Sequence, residues 1–205
     1  MDRRSAAAKL SPALQEDPLA CDARQYSAAF VLGLAALVSR SVCAQPPSFG
    51  VSAGWAFPSG VMAERRYPGA RWAAALGFDD GDGGWSARLE LARARFPGRT
   101  APTPGQPPYG DYRTTSLLAH LAYGRRAGRV RPAVHIGVGG QRPSIPGESN
   151  PYGTVAGVAA GVEVGVDVGR ATIVFGARSD AILADYGHGD FKIPTFRTLV
   201  GGIRF

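Results

Sequence analysis

Hydrophobic and polar residues alternate one by one along most of the chain after residue 45. The clearest case is 158–168, where every second residue is valine or alanine and the residues between them are Ala, Gly, Glu, Gly and Asp. A period of two is typical of β-strands whose two faces meet different surroundings. The sequence therefore predicts an all-β fold with eight strands, at 51–57, 72–78, 85–92, 116–123, 130–138, 158–168, 171–178 and 198–205.

The connections between these segments also alternate, in length. The short ones are 79–84, 124–129 and 169–170, and the long ones, rich in Pro, Gly and Tyr, include 97–112, 140–153 and 180–191. A barrel threaded through a membrane keeps its tight turns on one side and its long loops on the other. The loop lengths therefore favour an antiparallel up-and-down barrel.

The chemistry of the two strand faces indicates which face meets lipid. One face carries Val, Leu, Ile and aromatic residues, whereas the other carries Gly, Ala and Ser with about one charge per strand. Small residues suit a narrow, filled interior, and aromatic rings near strand ends favour the headgroup region. These rings are Trp55, Phe57, Trp72, Phe78, Trp85 and Tyr123. We predict an eight-stranded antiparallel up-and-down transmembrane β-barrel, with a soluble lipocalin-like periplasmic binder of a hydrophobic ligand as the alternative.

The charged and imidazole side chains on the small-residue face are expected to lie inside the barrel. They are Arg88, Glu90, His120, Arg131, His135, Glu163, Asp167, Arg178 and Arg204. An unpaired buried charge costs several kcal/mol, so we expect these groups to form a structural network that closes the lumen and leaves no open pore. A two-residue turn between Val168 and Ala171 would make Glu163 and Arg178 diagonal neighbours.

Two sequence patterns resemble parts of metal sites, but neither has the full set of ligands. A turn over 126–129 would place His120 opposite His135, but a third ligand is not evident. The segment 79–84 is rich in Asp and Gly but lacks the spacing and closing Glu of a calcium loop. We therefore predict no metal site and no cofactor.

The N-terminal part has the layout of a secretory signal peptide. An apolar run of 11 residues, 28–38, follows Arg24 and precedes Val42-Cys43-Ala44, and it is too short for a membrane-spanning helix of ~20 residues. We predict that 1–44 is an N-terminal extension plus signal peptide cut before Gln45, and that 45–205 is the barrel domain. Because the segment 1–27 is long and partly acidic for a leader, Met1 is expected to lie upstream of the true start, with a genuinely long leader as the alternative.

Composition and charge exclude several functions. With 28 Gly and 16 Pro the chain is a poor helix former. Its net charge of +7 comes from scattered arginines without a basic helix, so nucleic acid is not an expected partner.

A lipid-A-modifying barrel enzyme would have His188 with Asp185 or Asp190, but no Gly-x-Ser-x-Gly elbow occurs and we predict no enzyme. The proline-rich segment 101–109 is interpreted as a stiff surface loop.

The chain from Gln45 resembles the small eight-stranded outer-membrane barrels of the OmpA/OmpX type. The resemblance covers about 160 residues and includes the closing segment from Leu199 to Phe205, which ends in Phe with apolar residues at alternate positions. Arg197 departs from that pattern. The resemblance implies a bacterial outer-membrane location, contact with outer-membrane lipid, and recognition of the C-terminal strand ending in Phe205 by the barrel-assembly machinery. A structural or surface-interaction role is expected, and the sequence names no external partner.

Overall fold

The computed structural model describes residues 47–78, 83–100, 108–146, 153–183 and 194–205. These residues form a closed barrel of eight antiparallel strands in which each strand pairs with the next and the last pairs with the first. The strands are β1 (Pro47–Ser59), β2 (Gly69–Phe78), β3 (Gly83–Phe96), β4 (Tyr112–Arg125), β5 (Val130–Ser144), β6 (Val155–Val168), β7 (Ala171–Leu183) and β8 (Thr195–Arg204); helix α1 (Val61–Arg65) follows β1. The predicted fold class and strand number are confirmed.

Several strands extend beyond the predicted alternation at the long-loop end. β5 continues past Val138 to Ser144, and β7 continues to Leu183. The extension of β5 contains glycines and polar residues, yet it stays paired, with Gln141 opposite Ser116. Backbone pairing needs no apolar side chain, so the strands continue where the hydrophobic pattern has already stopped.

The turn between β6 and β7 is the predicted two-residue turn. Val168 lies opposite Ala171, and Gly169 between them has φ 64°, a backbone conformation that residues with a side chain rarely adopt. This register also places Glu163 opposite Gly176, as predicted.

The turn between β4 and β5 is tighter than the predicted turn over 126–129. The backbone N and O atoms of Ala127 and Val130 form hydrogen bonds of 2.8 and 3.1 Å with each other. Gly128 has φ 64° inside this turn. The register of β4 with β5 is therefore shifted by two residues from the predicted one. The third short connection, 79–84, lies mostly outside the described residues.

The two faces of the sheet differ as the sequence predicts. Large apolar side chains project outward, and Ile136 and Phe175 are 62% and 60% exposed. The inward face carries small, polar and charged side chains. This arrangement is the reverse of a lipocalin-like binder, which keeps its apolar face inside. Among the described residues, no helix combines the length and the apolar composition needed to cross a membrane.

The interior at the long-loop end contains an apolar cluster, which the sequence pattern did not predict. Its buried cluster consists of Ala56, Ala94, Phe96, Ile182 and Phe196, with Met62, Tyr112 and Val155 packed against it. The rings of Phe96 and Phe196 meet edge to face, with centroids 5.2 Å apart. An aromatic pair therefore fills the barrel directly below the long loops.

Candidate functional site

The candidate site is the polar interior of the barrel. Inward-facing glycines make room for its long side chains. A Cβ built on Gly161 would lie 2.6 Å from the Cβ of Arg178 on β7 and 2.8 Å from Nε2 of His135 on β5. Both distances are below any normal contact, so glycine at 161 is what allows the arginine and the histidine to occupy this level of the barrel.

Glu90 on β3 is the centre of an ion-pair layer nearer the long-loop end, which we call the upper layer. Its Oε1 accepts hydrogen bonds of 2.7 Å from Nη2 of Arg71 on β2 and of 2.7 Å from Nη1 of Arg178 on β7. Nε2 of His120 lies 3.7 Å from the same oxygen. The side chains of Arg71, Arg178 and Glu90 are 2%, 5% and 9% exposed, so this layer is almost free of solvent.

Arg178 also binds a second carboxylate in the upper layer. It pairs with Asp180, two residues further along β7. Oγ1 of Thr198 on β8 donates to Oδ2 of Asp180 at 3.4 Å. The upper layer therefore includes groups from β2, β3, β7 and β8, and it spans the lumen.

Glu163 on β6 is the centre of a second ion-pair layer, nearer the short-turn end, which we call the lower layer. Arg88 donates to it with both terminal nitrogens, at 3.0 Å from Nη1 to Oε2 and 3.1 Å from Nη2 to Oε1. Arg204 on β8 adds a bond of 2.8 Å from Nη2 to Oε1. Such a two-pronged arginine–carboxylate pair fixes both side chains in orientation as well as in distance.

A third cluster lies at the short-turn end around Asp167 on β6. Nε of Arg131 lies 2.9 Å from Oδ2 of Asp167, and Oγ1 of Thr172 donates to Oδ1 at 2.9 Å. Nη2 of Arg126 lies 3.2 Å from Oδ2. These side chains are partly exposed, so this cluster is the mouth of the interior at that end.

The two histidines lie diagonally and not opposite each other. The register places His120 opposite Gly137 and His135 opposite Ala122, so the predicted direct opposition is wrong. Their ring centroids are 5.4 Å apart in an edge-to-face arrangement. Nδ1 of each ring is buried without a hydrogen-bond partner, and no group of three possible metal-binding side chains occurs in the described ranges.

The structure places all nine predicted interior residues on the inward face: Arg88, Glu90, His120, Arg131, His135, Glu163, Asp167, Arg178 and Arg204. It does not join Glu163 to Arg178, although the two positions are diagonal neighbours. Arg178 pairs across the lumen with Glu90 on β3 and along its own strand with Asp180. Direct neighbours on the sheet therefore compete with partners on the far wall.

The prediction omitted two charged residues of the upper layer, Arg71 and Asp180. Both are in phase with the predicted inward positions, one residue before the predicted start of β2 and two residues after Arg178. Extending the alternation past the last apolar residue would have found both of them.

A cavity of about 60 Å³ remains in the interior. Its lining includes Ser48, Ser52, Arg88, Glu163 and Arg204. This volume holds no more than a few water molecules. The predicted candidates His188, Asp185 and Asp190, the segment 101–107 and the signal peptide lie outside the described residues.

Comparison with known proteins agrees with the architecture. No protein-family model and no curated protein matches the sequence. The structure is similar to that of Neisserial surface protein A (NspA), with 18% sequence identity, a TM-score of 0.57, and coverage of 77% of this chain and 95% of that one. It is also similar to the outer membrane protein OprG from Pseudomonas aeruginosa, with 12% identity, a TM-score of 0.50, and coverage of 78% and 97%. The chain therefore has the fold of the small outer-membrane β-barrels, as its sequence pattern predicted.

Proposed function

We propose that this chain is an integral protein of the bacterial outer membrane, with a structural or surface-interaction role and an interior closed to solutes. The observation that carries the proposal is the belt of exposed apolar side chains on all eight strands. Burying such surface contributes about 25 cal/mol per Å², and a soluble monomer rarely exposes a continuous apolar patch of more than a few hundred Å². Members of the belt include Val51, Leu76, Leu89, Leu117, Val134, Val162, Phe175 and Leu199.

Aromatic side chains at both edges of the belt support insertion in a membrane. Trp85 and Tyr123 lie near the short-turn end, with ring centroids 5.1 Å apart. Trp55 and Trp72 lie nearer the long loops and are at least half exposed. Aromatic rings in two girdles match the two headgroup regions of a bilayer.

The layers inside the barrel support a closed lumen. The clusters around Asp167, Glu163 and Glu90 follow one another from the short-turn end, and the apolar cluster with Phe96 and Phe196 lies beyond them. An eight-stranded barrel has an interior only wide enough for side chains. We therefore propose that the protein conducts neither ions nor small solutes.

We also propose that the barrel is not an enzyme. Arginines engage each inward carboxylate of the described strands, at Glu90, Glu163, Asp167 and Asp180. A carboxylate held by arginines is a weak general base because the ion pair stabilises its ionised form. The interior is therefore better suited to a structural role than to catalysis.

Fractionation of cells tests the membrane proposal. We expect the protein to stay with the outer-membrane fraction through high-salt washes and to require detergent for release. The unheated protein should migrate on a gel as a compact form that heating converts to a slower one. Recovery in the soluble fraction without detergent would instead favour the lipocalin-like alternative.

We propose that the partners are outer-membrane lipid and the barrel-assembly machinery, the latter through β8 and Phe205. Phe205 is exposed, and its backbone N and O atoms form hydrogen bonds of 2.8 and 3.1 Å with Phe49. We expect Phe205→Ala to lower the amount of assembled barrel in cells while the purified variant still refolds in detergent. Phe49→Ala, at the same end of the neighbouring strand, is the matched control, and an equal loss in both variants would contradict this role.

A further inference from the structure

Four arginines point outward from three neighbouring strands at the long-loop end. They are Arg93 and Arg95 on β3, Arg113 on β4 and Arg142 on β5, and we call them the arginine patch. Arg95 lies opposite Arg113, while Arg93 and Arg142 lie opposite Thr115 on its two sides. Because directly opposed residues have Cβ atoms about 4.5–5.5 Å apart, the patch surrounds Thr115.

The patch carries more positive charge than the described residues neutralise. Asp111 forms an ion pair with Arg95, in which Oδ2 of Asp111 accepts hydrogen bonds of 2.9 Å from Nε and 2.6 Å from Nη2 of Arg95. These bonds hold the pKa of Asp111 below its usual range, so this carboxylate is ionised at neutral pH. In the described ranges no ion pair joins Arg93, Arg113 or Arg142 to a carboxylate.

Opposed like charges destabilise a pair of strands unless an anion lies between them. Arg95 and Arg113 are such a pair, and within the described part of the chain Arg95 is the one member of the patch with a carboxylate partner. The patch therefore favours an external anion with several oxygens. Guanidinium groups suit phosphate in particular, because their planar fork donates two parallel hydrogen bonds to its oxygens.

The level of the patch along the barrel identifies where that anion would lie. Arg93 is directly opposite Trp72 on β2, and tryptophan marks the headgroup region. Leu91 and Leu117, which oppose each other two residues toward the short-turn end, are 48% and 51% exposed. Two residues of a strand span about 7 Å, so the arginines begin where the apolar belt ends.

Among the residues that the structure describes, the opposite wall of the barrel has no such group. On β8, Arg197 points outward between Phe57 on β1 and Ser179 on β7. It corresponds to the predicted departure from the apolar pattern, and it has no arginine directly opposite it. Arg197 therefore provides a matched control with the same residue type at the same end of the barrel.

We propose that the arginine patch binds the phosphate groups of lipid headgroups in the leaflet nearest the long loops, an inference that rests on the membrane insertion proposed above. Lipids with phosphomonoester groups should bind in preference to the same lipids without them. The bond is an ion pair with two-pronged hydrogen bonds at a surface where the acyl chains pack on Leu91 and Leu117.

The test uses the folded protein in phosphatidylcholine vesicles that contain either lipid A with both phosphates or the same lipid after removal of its phosphates. Native mass spectrometry after detergent extraction counts the lipid that stays bound. We expect the unchanged protein to retain the phosphorylated form selectively. Arg93→Gln/Arg113→Gln/Arg142→Gln should lower the apparent affinity about ten-fold or more, and Arg197→Gln should leave it unchanged.

Gel migration of each vesicle-bound protein, before and after heating, shows whether that protein has inserted as a folded barrel. This measurement separates the membrane proposal from the proposal about the arginine patch. If the unchanged protein does not insert, the membrane proposal and the patch both fail. If it inserts but retains both lipids equally, or if Arg197→Gln loses as much binding as the triple variant, only the patch fails. Salt gives a second measurement that needs no variant: binding of the phosphorylated lipid should fall as salt screens the ion pairs, and binding independent of salt would overturn the patch.

Discussion

Glu90 joins three strands through one carboxylate oxygen. The two arginines that donate to it come from β2 and from β7, on either side of the lumen, and each is almost fully buried. Neither arginine can return to water without leaving the folded barrel. The stability of this layer therefore depends on the charge of Glu90 and not only on its shape.

Replacing Glu90 with glutamine tests that dependence. Glu90→Gln keeps the size of the side chain and removes the charge opposite Arg71 and Arg178, so we expect the free energy of unfolding to fall by about 3–5 kcal/mol. Urea unfolding in detergent micelles measures the loss. Asp111→Asn removes one partner of an exposed pair and should cost no more than about 1 kcal/mol; equal effects of the two changes would refute the argument.

Glycine at the inward position 161 provides a second prediction at the scale of the residue. A Cβ there would lie 2.6 Å from the carbonyl oxygen of Ala177 and 2.6 Å from the Cβ of Arg178. Gly161→Ala should therefore destabilise the barrel by about 1–3 kcal/mol. Gly201 points outward, and its nearest atoms, in the Phe175 ring, would lie at 3.7 Å, so Gly201→Ala should be neutral or slightly stabilising in the same unfolding measurement.

At the scale of the element, the turn between β6 and β7 depends on one backbone conformation. Gly169 has φ 64° with nothing within 4 Å of an added Cβ, so a substitution there meets conformational strain and no clash. We expect Gly169→Ala to destabilise the barrel by about 1–2 kcal/mol. Arg170→Ala in the same turn is the control, and a loss of equal size in that variant would show that the turn responds to any change.

The register of each strand pair could be predicted only as well as its turn. The turn after Val168 has two residues by sequence, and the pairing of β6 with β7 followed from it. The turn after β4 also closes on two residues, but its sequence allows a four-residue turn equally well. A two-residue turn and a four-residue turn after β4 keep the same side chains inside the barrel, because a register shift of two residues preserves the side-chain alternation. The sequence therefore predicted which side chains face the lumen, but not which residue lies opposite each of them on the neighbouring strand.

Strand ends and pairs across the lumen lie beyond a local pattern. The predicted apolar alternation of β2 begins at Trp72, although the strand begins at Gly69, and Arg71 was missed for that reason. The choice of Glu90 over Glu163 by Arg178 depends on distances across the barrel. Those distances follow from strand number and stagger together, not from the sequence of any one strand.

At the scale of the whole molecule, the stacked interior layers predict a barrel without conductance. We expect no steady current when the folded protein is inserted in planar bilayers. Phe96→Ala/Phe196→Ala removes the aromatic pair and should destabilise the barrel, yet this variant should also stay silent because the ion-pair layers below still fill the lumen. A steady current through the unchanged protein would contradict the closed interior.

The seam between β1 and β8 has a consequence for the order of biogenesis. It pairs Gly50 with Arg204 and Ser59 with Thr195, so the earliest and latest strands of the cylinder complete each other. A nascent chain that lacks β8 has two open sheet edges, and such edges promote aggregation. Closure must therefore wait until β8 is available to pair with β1, and until then the unfinished sheet has to be kept apart from copies of itself.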